Sequence, residues 1–445
     1  MTALADPRQA REFRFVACVY SAGVASLRYA FDDGPELVER IEFPEAPPLS
    51  PERATAFAAA LKLLHLIAGV SYYKAGVQAQ LRVEGEPLDV ATAEFLDAIY
   101  LHGLAEFAYQ NKLDLRGRIR FPHGDGIPSP AAALHLTRRT LVPIGGGKDS
   151  LVTVEMLKGA GEPMTAAWVG DSALIMACAE RTGLPTLNIK RRLAPELFEY
   201  NRLGAWNGHI PVTAINSAIL LCAALLYGYD AIAFSNERSA SEATLEYDGQ
   251  PVNHQWSKSI DFERRLREYT KSHIAADLDY FSLLRAWSEL AVTHAFAQDT
   301  RYDDVFSSCN RNFRIRGERP ADRWCGQCPK CHFVFLALAP FVAKPRLLAV
   351  FGRNLLDDAA LAPGFDALLE YRDHKPFECV GEGRESRAAM HFLAQRPEWR
   401  EDALVARFAE EIAPRLDHGD LALAPLLTPA PEHFLPARLR GLLAS

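Results

Sequence analysis

The sequence lacks a long hydrophobic run and an excess of positive charge. Its longest apolar stretch, residues 211–227, is too short to cross a bilayer and contains Asn216 and Ser217. The first twenty residues mix charged with apolar residues, so we expect no signal peptide. Lys and Arg number 49 against 56 Asp and Glu, and this net charge of -7 disfavours nucleic acid as a partner. We expect a globular protein without a nucleic-acid or membrane partner, in which the apolar stretch is a buried helix.

Cysteine is also sparse, and internal repeats and low-complexity tracts are absent. The chain has eight cysteines in 445 residues, and half of them are scattered singly. Without a secretion signal, clustered thiols are more often metal ligands than disulfides. The cysteine usage therefore predicts a reducing, cytoplasmic location.

Three regions of the chain differ in their sequence pattern. Residues 13–44 alternate apolar with polar positions, which predicts an antiparallel meander, and helical patterns follow at 51–66 and 92–111. Apolar strands at 164–169, 186–190 and 231–235 then alternate with helical segments, which indicates a parallel sheet. Beyond residue 351 the pattern is helical and charged. We predict an α/β protein with an N-terminal α+β domain (1–135), a parallel-sheet domain (136–345) and a C-terminal helical region (346–445).

A glycine-rich turn stands between a strand pattern and a helix pattern. An apolar run at 141–144 precedes it and helically spaced apolar residues follow. Glycines let the backbone approach an oxyanion, and the free N–H groups of a helix N-terminus favour negative charge. We therefore expect a phosphate site in this segment, called the glycine loop below: Gly145, Gly146, Gly147, Lys148, Asp149 and Ser150.

Spacing separates the kinds of phosphate loop that this segment could form. A Walker A loop is excluded, because Asp149 stands where Ser or Thr would follow the lysine. A dinucleotide fingerprint fits in part, with Ser150 in place of its last glycine and Asp171 as a partner for a ribose hydroxyl. However, Asp149 would repel a pyrophosphate unless a cation lay between them. The loop therefore favours a magnesium nucleotide over NAD.

Polar residues follow the predicted strands, at the edge where open parallel sheets bind ligands. These positions include Asp171, the basic run Lys190, Arg191 and Arg192, and the segment 235–239 with Asn236, Glu237 and Arg238. A further polar segment contains Asn253, His254 and Lys258. The alternative is that these residues belong to solvated loops or to charged surface and have no functional role.

Three cysteines stand in a Cys-x-x-Cys-x-x-Cys pattern at Cys325, Cys328 and Cys331. Three thiolates on one knuckle nearly complete a tetrahedron, and Cys309 or His332 would supply the fourth ligand. The spacing predicts a structural zinc, with an iron-sulfur cluster or free thiols as alternatives.

The glycine loop resembles the pyrophosphate loop (PP-loop) of the N-type ATP pyrophosphatases, Ser-Gly-Gly-x-Asp-Ser, at five of six positions, with Gly145 in place of serine. The resemblance implies an adenine nucleotide alpha hydrolase-like core that splits ATP between its α and β phosphates. It implies that Gly146, Gly147 and Ser150 cradle pyrophosphate and that Asp149 holds Mg²⁺. The cysteine knuckle is similar to that of the 7-cyano-7-deazaguanine synthases, which carry the same loop but are much shorter.

Taken whole, the chain resembles the UDP-N-acetylmuramoyl-L-alanyl-L-glutamate epimerases of bacterial cell-wall synthesis. The resemblance rests on the loop, the knuckle and the segments 31–37, 235–240 and 252–258. It implies that ATP adenylates a glutamate carboxylate, after which a base and an acid invert the α carbon. Among His209, Glu237, His254 and Lys258 we favour His254 and Lys258 as that pair, because histidine titrates near neutrality and nearby cations can lower the pKa of a lysine.

For the substrate, we expect Arg238 to hold a carboxylate, residues 190–192 to hold the UDP diphosphate, and Asn236 to contribute a further contact. A structural hydrogen-bonding role is the alternative for each of these side chains. Two other functions stay open: a nucleobase- or tRNA-modifying ATP pyrophosphatase, and a nucleotide-sensing module. A sulfur carrier would need a reactive cysteine outside the knuckle, whereas Cys178, Cys222 and Cys379 are placed like buried apolar residues.

Overall fold

The main strands of the chain form a single large sheet, and helices pack on both of its faces. The structure is a computed structural model that describes residues 4–126, 130–314 and 319–444. The strands are β1 (Glu12–Ser21), β2 (Val24–Phe31), β3 (Leu37–Glu42), β4 (Gln80–Val83), β5 (Thr140–Pro143), β6 (Met164–Val169), β7 (Thr186–Arg192), β8 (Ala231–Phe234), β9 (Leu245–Tyr247), β10 (Gln250–Val252) and β11 (Asp279–Ser282).

The helices are joined by short 3₁₀ and π-helical turns. They are α1 (Pro51–Ala68), α2 (Val70–Tyr73), α3 (Val90–Gly103), α4 (Ala105–Asn111), α5 (Lys148–Gly159), α6 (Ala173–Arg181), α7 (Glu196–Arg202), α8 (Val212–Tyr227), α9 (Ile260–Tyr269), α10 (Glu289–Ala297), α11 (Pro329–Leu338), α12 (Lys344–Phe351), α13 (Ala362–Leu368), α14 (Gly383–Ala394) and α15 (Ala403–Arg407).

Nine strands form one mixed sheet in the order β11-β8-β5-β6-β7-β3-β2-β1-β4, and β9 and β10 form a separate hairpin. The first five strands in that order are parallel, as the strand–helix alternation predicts. The meander of β1, β2 and β3 is antiparallel, which confirms that prediction. It joins the parallel strands because β3 pairs antiparallel with β7. The sheet therefore runs without a break from the N-terminal region into the glycine loop.

Successive residues of the parallel strands point to opposite faces, and each face has its own hydrophobic core. Leu141 and Ala167 pack on the side of α1 and α8, whereas their neighbours Val142 and Trp168 pack on the side of α5, α10 and α11. The C-terminal helices, which the charged helical pattern beyond residue 351 predicts, lie on this second side. Within the described residues, both faces of the parallel strands are thus covered, and the strand ends are the open part of this sheet.

Helix α8 is almost entirely buried, as the apolar stretch predicts. The run Pro51–Tyr73 is long and apolar enough to cross a membrane by length and composition, but 72% of its most apolar window is buried inside the protein. It packs against α8, and both helices belong to the same hydrophobic core. The run is therefore a core element of this fold.

Candidate active site

The glycine loop turns the chain from β5 into α5 in a conformation that needs glycine. Gly146 has φ +84°, and its carbonyl accepts a hydrogen bond from the Ser307 amide at 2.9 Å. A Cβ on Gly147 would lie 2.6 Å from the Ser308 hydroxyl oxygen. At Gly145, by contrast, a Cβ would meet no atom of the described residues within 4 Å. Crowding in this part of the structure therefore does not explain why glycine stands at position 145, where the N-type ATP pyrophosphatases have serine.

A cavity of about 470 Å³ opens at the carboxyl ends of β5, β6 and β8, directly over this loop. Its wall brings together residues that lie far apart in the sequence. The polar and loop residues that line it are Gly145, Gly147, Asp149, Ser150, Asn216, Ser235, Asn236, Lys258, Ser308, Asn310, Lys330 and Cys379. The position agrees with the rule that open parallel sheets bind ligands beyond their carboxyl edge.

Three carboxylates meet beside the loop. Oxygens of Asp149, Glu237 and Glu289 lie within 4.8 Å of one another. Burial raises the pKa of Glu289 to about 8, helped by the charge of Asp149. Burial also opposes the ionisation of Asp149. The positive charges of nearby lysines, mainly that of Lys148, outweigh burial and lower the pKa of Asp149. Asp149 is thus held ionised at the cavity wall, next to carboxyls that resist a further negative charge.

Lys148 supplies the positive charge inside this cluster. Its side chain is 2% exposed, and its Nζ donates to Asp149 Oδ1 at 2.5 Å and to Glu289 Oε2. We expected Lys148 to hold nucleotide, but the structure directs its ammonium to these carboxylates, and it is not among the residues that line the cavity. Asp149 and Ser150 are the side chains of the loop that do face it.

A second polar cluster reaches the same wall through Lys258 and Cys379. Lys258 Nζ donates to Cys379 Sγ at 3.2 Å, and His254 Nδ1 lies 2.5 Å from Glu106 Oε2. The charges of His254 and Cys379 act on each other, and the ring centroid of His254 lies 4.2 Å from that of His209. Two candidates from the sequence, His254 and Lys258, are therefore brought together with a cysteine that we expected to be buried.

Charges in this second cluster reinforce one another. Burial opposes the ionisation of Cys379, but Lys258 and His254 outweigh it and lower the pKa of the thiol well below its usual value. In return, Cys379 and Glu106 raise the pKa of His254 to about 9 against the effect of burial. Burial and the charge of His254 lower the pKa of His209 to about 3.

The structure corrects two expectations about these residues. We expected nearby cations to lower the pKa of Lys258, but Cys379 and Glu237 raise it, even though burial acts in the opposite direction. We also placed Cys379 with Cys178 and Cys222 as a buried apolar residue. Those two are buried inside helices, as expected, whereas Cys379 is half-buried and lines the cavity. Its sequence context, after Glu378 and before a Gly-Glu-Gly segment outside any helical pattern, was the available signal.

A buried ion pair holds the two polar segments in place. Arg285 and Glu263 are each 1% exposed, and Arg285 Nε donates to Glu263 Oε2 at 2.9 Å. The same guanidinium donates to the backbone carbonyl of Glu237 at 2.7 Å and to that of Lys258 at 2.5 Å. Arg285 therefore fixes two loops: one carries Glu237 of the carboxylate cluster, and the other carries Lys258 of the second polar cluster.

The C-terminal region reaches the same loops through Glu385 at the start of α14. Its carboxylate accepts hydrogen bonds from Ser239 Oγ at 2.7 Å and from the Leu290 amide at 3.0 Å. Gln255 Nε2 also donates to the Val380 carbonyl at 3.4 Å. These bonds seat the segment that carries Cys379 against the sheet edge.

The predicted substrate-binding residues divide into three groups. Asn236 lines the cavity. Arg238 is half-buried, and its amide donates to the Trp287 carbonyl. We expected residues 190–192 to follow a strand that ends at Lys190, but β7 continues to Arg192 because it pairs with β3.

The side chains of that basic run already have protein partners. Arg191 donates to Glu39 at 2.7 Å and to Ser71 at 2.9 Å. Lys190 and Arg192 both bond to Asp171, which we expected to contact nucleotide. In this arrangement the basic run therefore ties β7 to its neighbours.

Four cysteines form a compact cluster next to the glycine loop. The Sγ atoms of Cys309, Cys325, Cys328 and Cys331 lie within 4.8 Å of one another, which brings in Cys309 rather than His332. The separations that we measure are 3.7 Å between Cys325 and Cys331, 3.5 Å between Cys328 and Cys331, and 4.0 Å between Cys309 and Cys328. Four sulfurs about 2.3 Å from one zinc ion stand roughly 3.8 Å apart. The cluster has the dimensions of a mononuclear site.

Comparison with known proteins points in one direction. A family model described as the MurL N-terminal domain matches residues 4–283, and one described as the MurL C-terminal domain matches residues 305–422. A protein of Xanthomonas oryzae pv. oryzae named UDP-N-acetyl-alpha-D-muramoyl-L-alanyl-L-glutamate epimerase is 60% identical over 437 residues, which cover 98% of this chain and 97% of that protein.

Two further relatives carry the same name. The protein of Salinispora tropica is 42% identical over 96% of this chain and 93% of its own length. The protein of a Micromonospora species is 42% identical over 94% of each chain. In each case the similarity covers at least 94% of this chain.

Proposed function

The chain belongs to the family of UDP-N-acetyl-alpha-D-muramoyl-L-alanyl-L-glutamate epimerases, and we propose that it inverts the terminal glutamate of UDP-N-acetylmuramoyl-L-alanyl-L-glutamate after ATP has activated the glutamate carboxylate. Inversion requires removal of the α proton, which a free carboxylate resists because the product would carry two adjacent negative charges. An acyl-adenylate has no charge on that carboxyl group and acidifies the α carbon. Splitting ATP into AMP and pyrophosphate thereby makes the proton transfer accessible.

We assign ATP to the cavity wall formed by the glycine loop. The loop amides and the N-terminus of the twelve-residue helix α5 favour an anion at this position. The resemblance to the N-type ATP pyrophosphatases supports pyrophosphate as that anion. Ser150 and the glycines would hold it, while the side chain of Asn236 is our candidate for contact with the activated substrate.

The carboxylate cluster fits Mg²⁺. Its donor atoms are carboxylate oxygens, which Mg²⁺ prefers, and Asp149 presents one of them to the cavity. Asp149 would hold the ion, with Glu237 and Glu289 behind it. Bound there, Mg²⁺ would offset the negative charge of the leaving pyrophosphate.

The observation that carries the proposal is that one cavity joins the glycine loop to the second polar cluster. Asp149 and Ser150 lie on the same wall as Lys258 and Cys379. A carboxylate that is activated at the first part of the wall therefore has acid and base groups close to its α carbon at the second. Because ATP and reduced thiols are both needed, we propose that the reaction takes place in the cytoplasm.

A product assay tests this proposal. The protein with ATP, Mg²⁺ and UDP-N-acetylmuramoyl-L-alanyl-L-glutamate should release AMP and pyrophosphate in equal amounts and give D-glutamate after acid hydrolysis. In deuterated water the α carbon of the product should gain deuterium. The original α proton is removed, and the proton that replaces it comes from the solvent or from groups that exchange with it. Chiral chromatography and mass spectrometry measure both. Release of ADP, or inversion without ATP, would contradict the adenylation route.

We propose zinc for the four-cysteine cluster, where it would have a structural role. The sulfur separations match one tetrahedral ion, whereas a cubane binds each sulfur to a different iron and spreads them farther apart. The cluster stands next to the loop, since Cys309 follows Ser307 and Ser308, which contact Gly146 and Gly147. Zinc at this position would brace the wall that receives pyrophosphate.

Metal analysis of the purified protein should therefore find about one zinc per chain. Cys328→Ser should lower the zinc content to well below one equivalent and lower the unfolding temperature by several degrees, because metal binding stabilises the folded chain. Cys18→Ser, which changes a half-buried cysteine outside the cluster, is the matched control and should keep its zinc. Iron with a brown colour in the purified protein would overturn the assignment.

A further inference from the structure

Cys379 lines the cavity, and its polar, charged surroundings are unusual for a cysteine. It belongs to the segment between α13 and α14, outside the cysteine cluster, and its Sγ accepts a hydrogen bond from Lys258 Nζ at 3.2 Å. The charge of His254 acts on the same thiol, and Lys330 Nζ donates to the Cys379 backbone carbonyl. At the cavity wall, one lysine thus contacts the sulfur, a second contacts the backbone of the same residue, and the charge of a histidine adds to theirs.

This arrangement differs from that of the other cysteines outside the cluster. Cys178 and Cys222 are buried, and burial raises the pKa of each thiol. Cys18 is half-buried, and burial raises its pKa as well. Among these four cysteines, Cys379 alone combines a cavity-facing position with a lysine and a histidine as partners. A thiol that served only for packing would need neither partner.

The cations around the sulfur limit the choice of base. A base needs a free electron pair, but the pKa of His254 is raised to about 9 and that of Lys258 is raised as well, so both carry a proton near neutrality. Neither His209 nor His254 is among the residues that line the cavity, and their ring centroids lie 4.2 Å apart. Within this cluster, the sulfur is the cavity-facing atom that keeps an electron pair available.

We propose that Cys379 is a catalytic residue, namely the base that removes the α proton of the activated glutamate from one face. This inference rests on the proposed function and names a reacting atom in it. The thiolate pair takes the proton, and the electrons of the broken C–H bond move into the carbonyl of the acyl-adenylate to form an enolate. A proton from solvent then adds to the other face of the enolate. The sulfur releases its proton to solvent, which balances the proton taken up and restores the thiolate beside Lys258.

The test separates activation from proton transfer in the full-length protein. Cys379→Ala should still release AMP and pyrophosphate within about tenfold of wild type, whereas epimerisation and α-deuterium incorporation should fall by about 10²- to 10⁴-fold. Cys18→Ala is the matched control and should behave as wild type. Epimerisation by Cys379→Ala within tenfold of wild type would overturn the inference, and so would an equal loss of AMP release and deuterium incorporation. If wild type itself releases no AMP, the proposed function fails instead.

Alkylation measures the same sulfur without turnover. With iodoacetamide and peptide mass spectrometry, Cys379 should react with a midpoint pH clearly below the value of about 8.5 of a free cysteine. Lys258→Met should move that midpoint to higher pH, because it removes the cation that stabilises the thiolate. A Cys379 profile equal to that of Cys18, or one that Lys258→Met leaves unmoved, would overturn the assignment.

Discussion

Replacing Asp149 with asparagine should abolish AMP release and epimerisation together, each by on the order of 10³-fold, which corresponds to about 4 kcal/mol of transition-state stabilisation. Asparagine keeps the shape of the side chain but removes the charge that would hold Mg²⁺ at the cavity wall. Lys148 keeps its second partner, Glu289, so the fold around the loop should survive. Coupled loss of both products is expected because epimerisation in this mechanism needs the adenylate.

The control for this variant is Asp33→Asn, the same exchange at a fully exposed aspartate in the turn after β2. It should release AMP as wild type does. Quantifying AMP by ion-exchange chromatography and D-glutamate by chiral analysis gives both rates, and an unfolding curve shows whether the chain is folded. A folded Asp149→Asn protein that still releases AMP within tenfold of wild type would remove Asp149 from the metal and nucleotide site.

Local patterns in the sequence predict the parts of this fold that depend on neighbouring residues. Alternation predicts β1, β2 and β3, and the strand–helix alternation predicts the parallel strands on either side of the glycine loop. The pairing of β3 with β7 was not foreseeable, because pairing across about 150 residues depends on the whole sheet. That pairing extends β7 to Arg192 and places Arg191 beside the buried Glu39.

The same limit applies to the site. The glycine loop and the cysteine spacing are local patterns, and the structure brings Cys309 to the other three cysteines. The environment of Cys379 is set by Lys258, about 120 residues earlier in the chain, and by the way α14 docks through Glu385. A single cysteine in the sequence has no pattern that reports such partners. The predicted direction of the pKa shift of Lys258 is wrong for the same reason. The anions that raise this pKa become its neighbours only when the chain folds.

Arg285→Met should destabilise the protein by about 3–5 kcal/mol, because it leaves the carboxylate of Glu263 buried without its cation. Urea unfolding at pH 7.5 measures this loss. The exposed pair of Arg265 and Asp261 on the same helix, α9, provides the control, and Arg265→Met should cost less than about 1 kcal/mol. The double variant Glu263→Gln/Arg285→Met should recover part of the loss, because it removes the unpaired charge.

The loss should also depend on pH with a defined sign. Burial already raises the pKa of Glu263 although Arg285 lies beside it, and removing Arg285 would raise it further. A folded-state pKa above the unfolded value of about 4.3 means that the folded chain binds more protons, so stability falls as the pH rises through that interval. The difference between Arg285→Met and wild type should therefore be smaller at pH 5.5 than at pH 7.5. A difference that is equal at both values would show that Glu263 is not the charge left unpaired, and that the cost comes instead from the lost bonds to the carbonyls of Glu237 and Lys258.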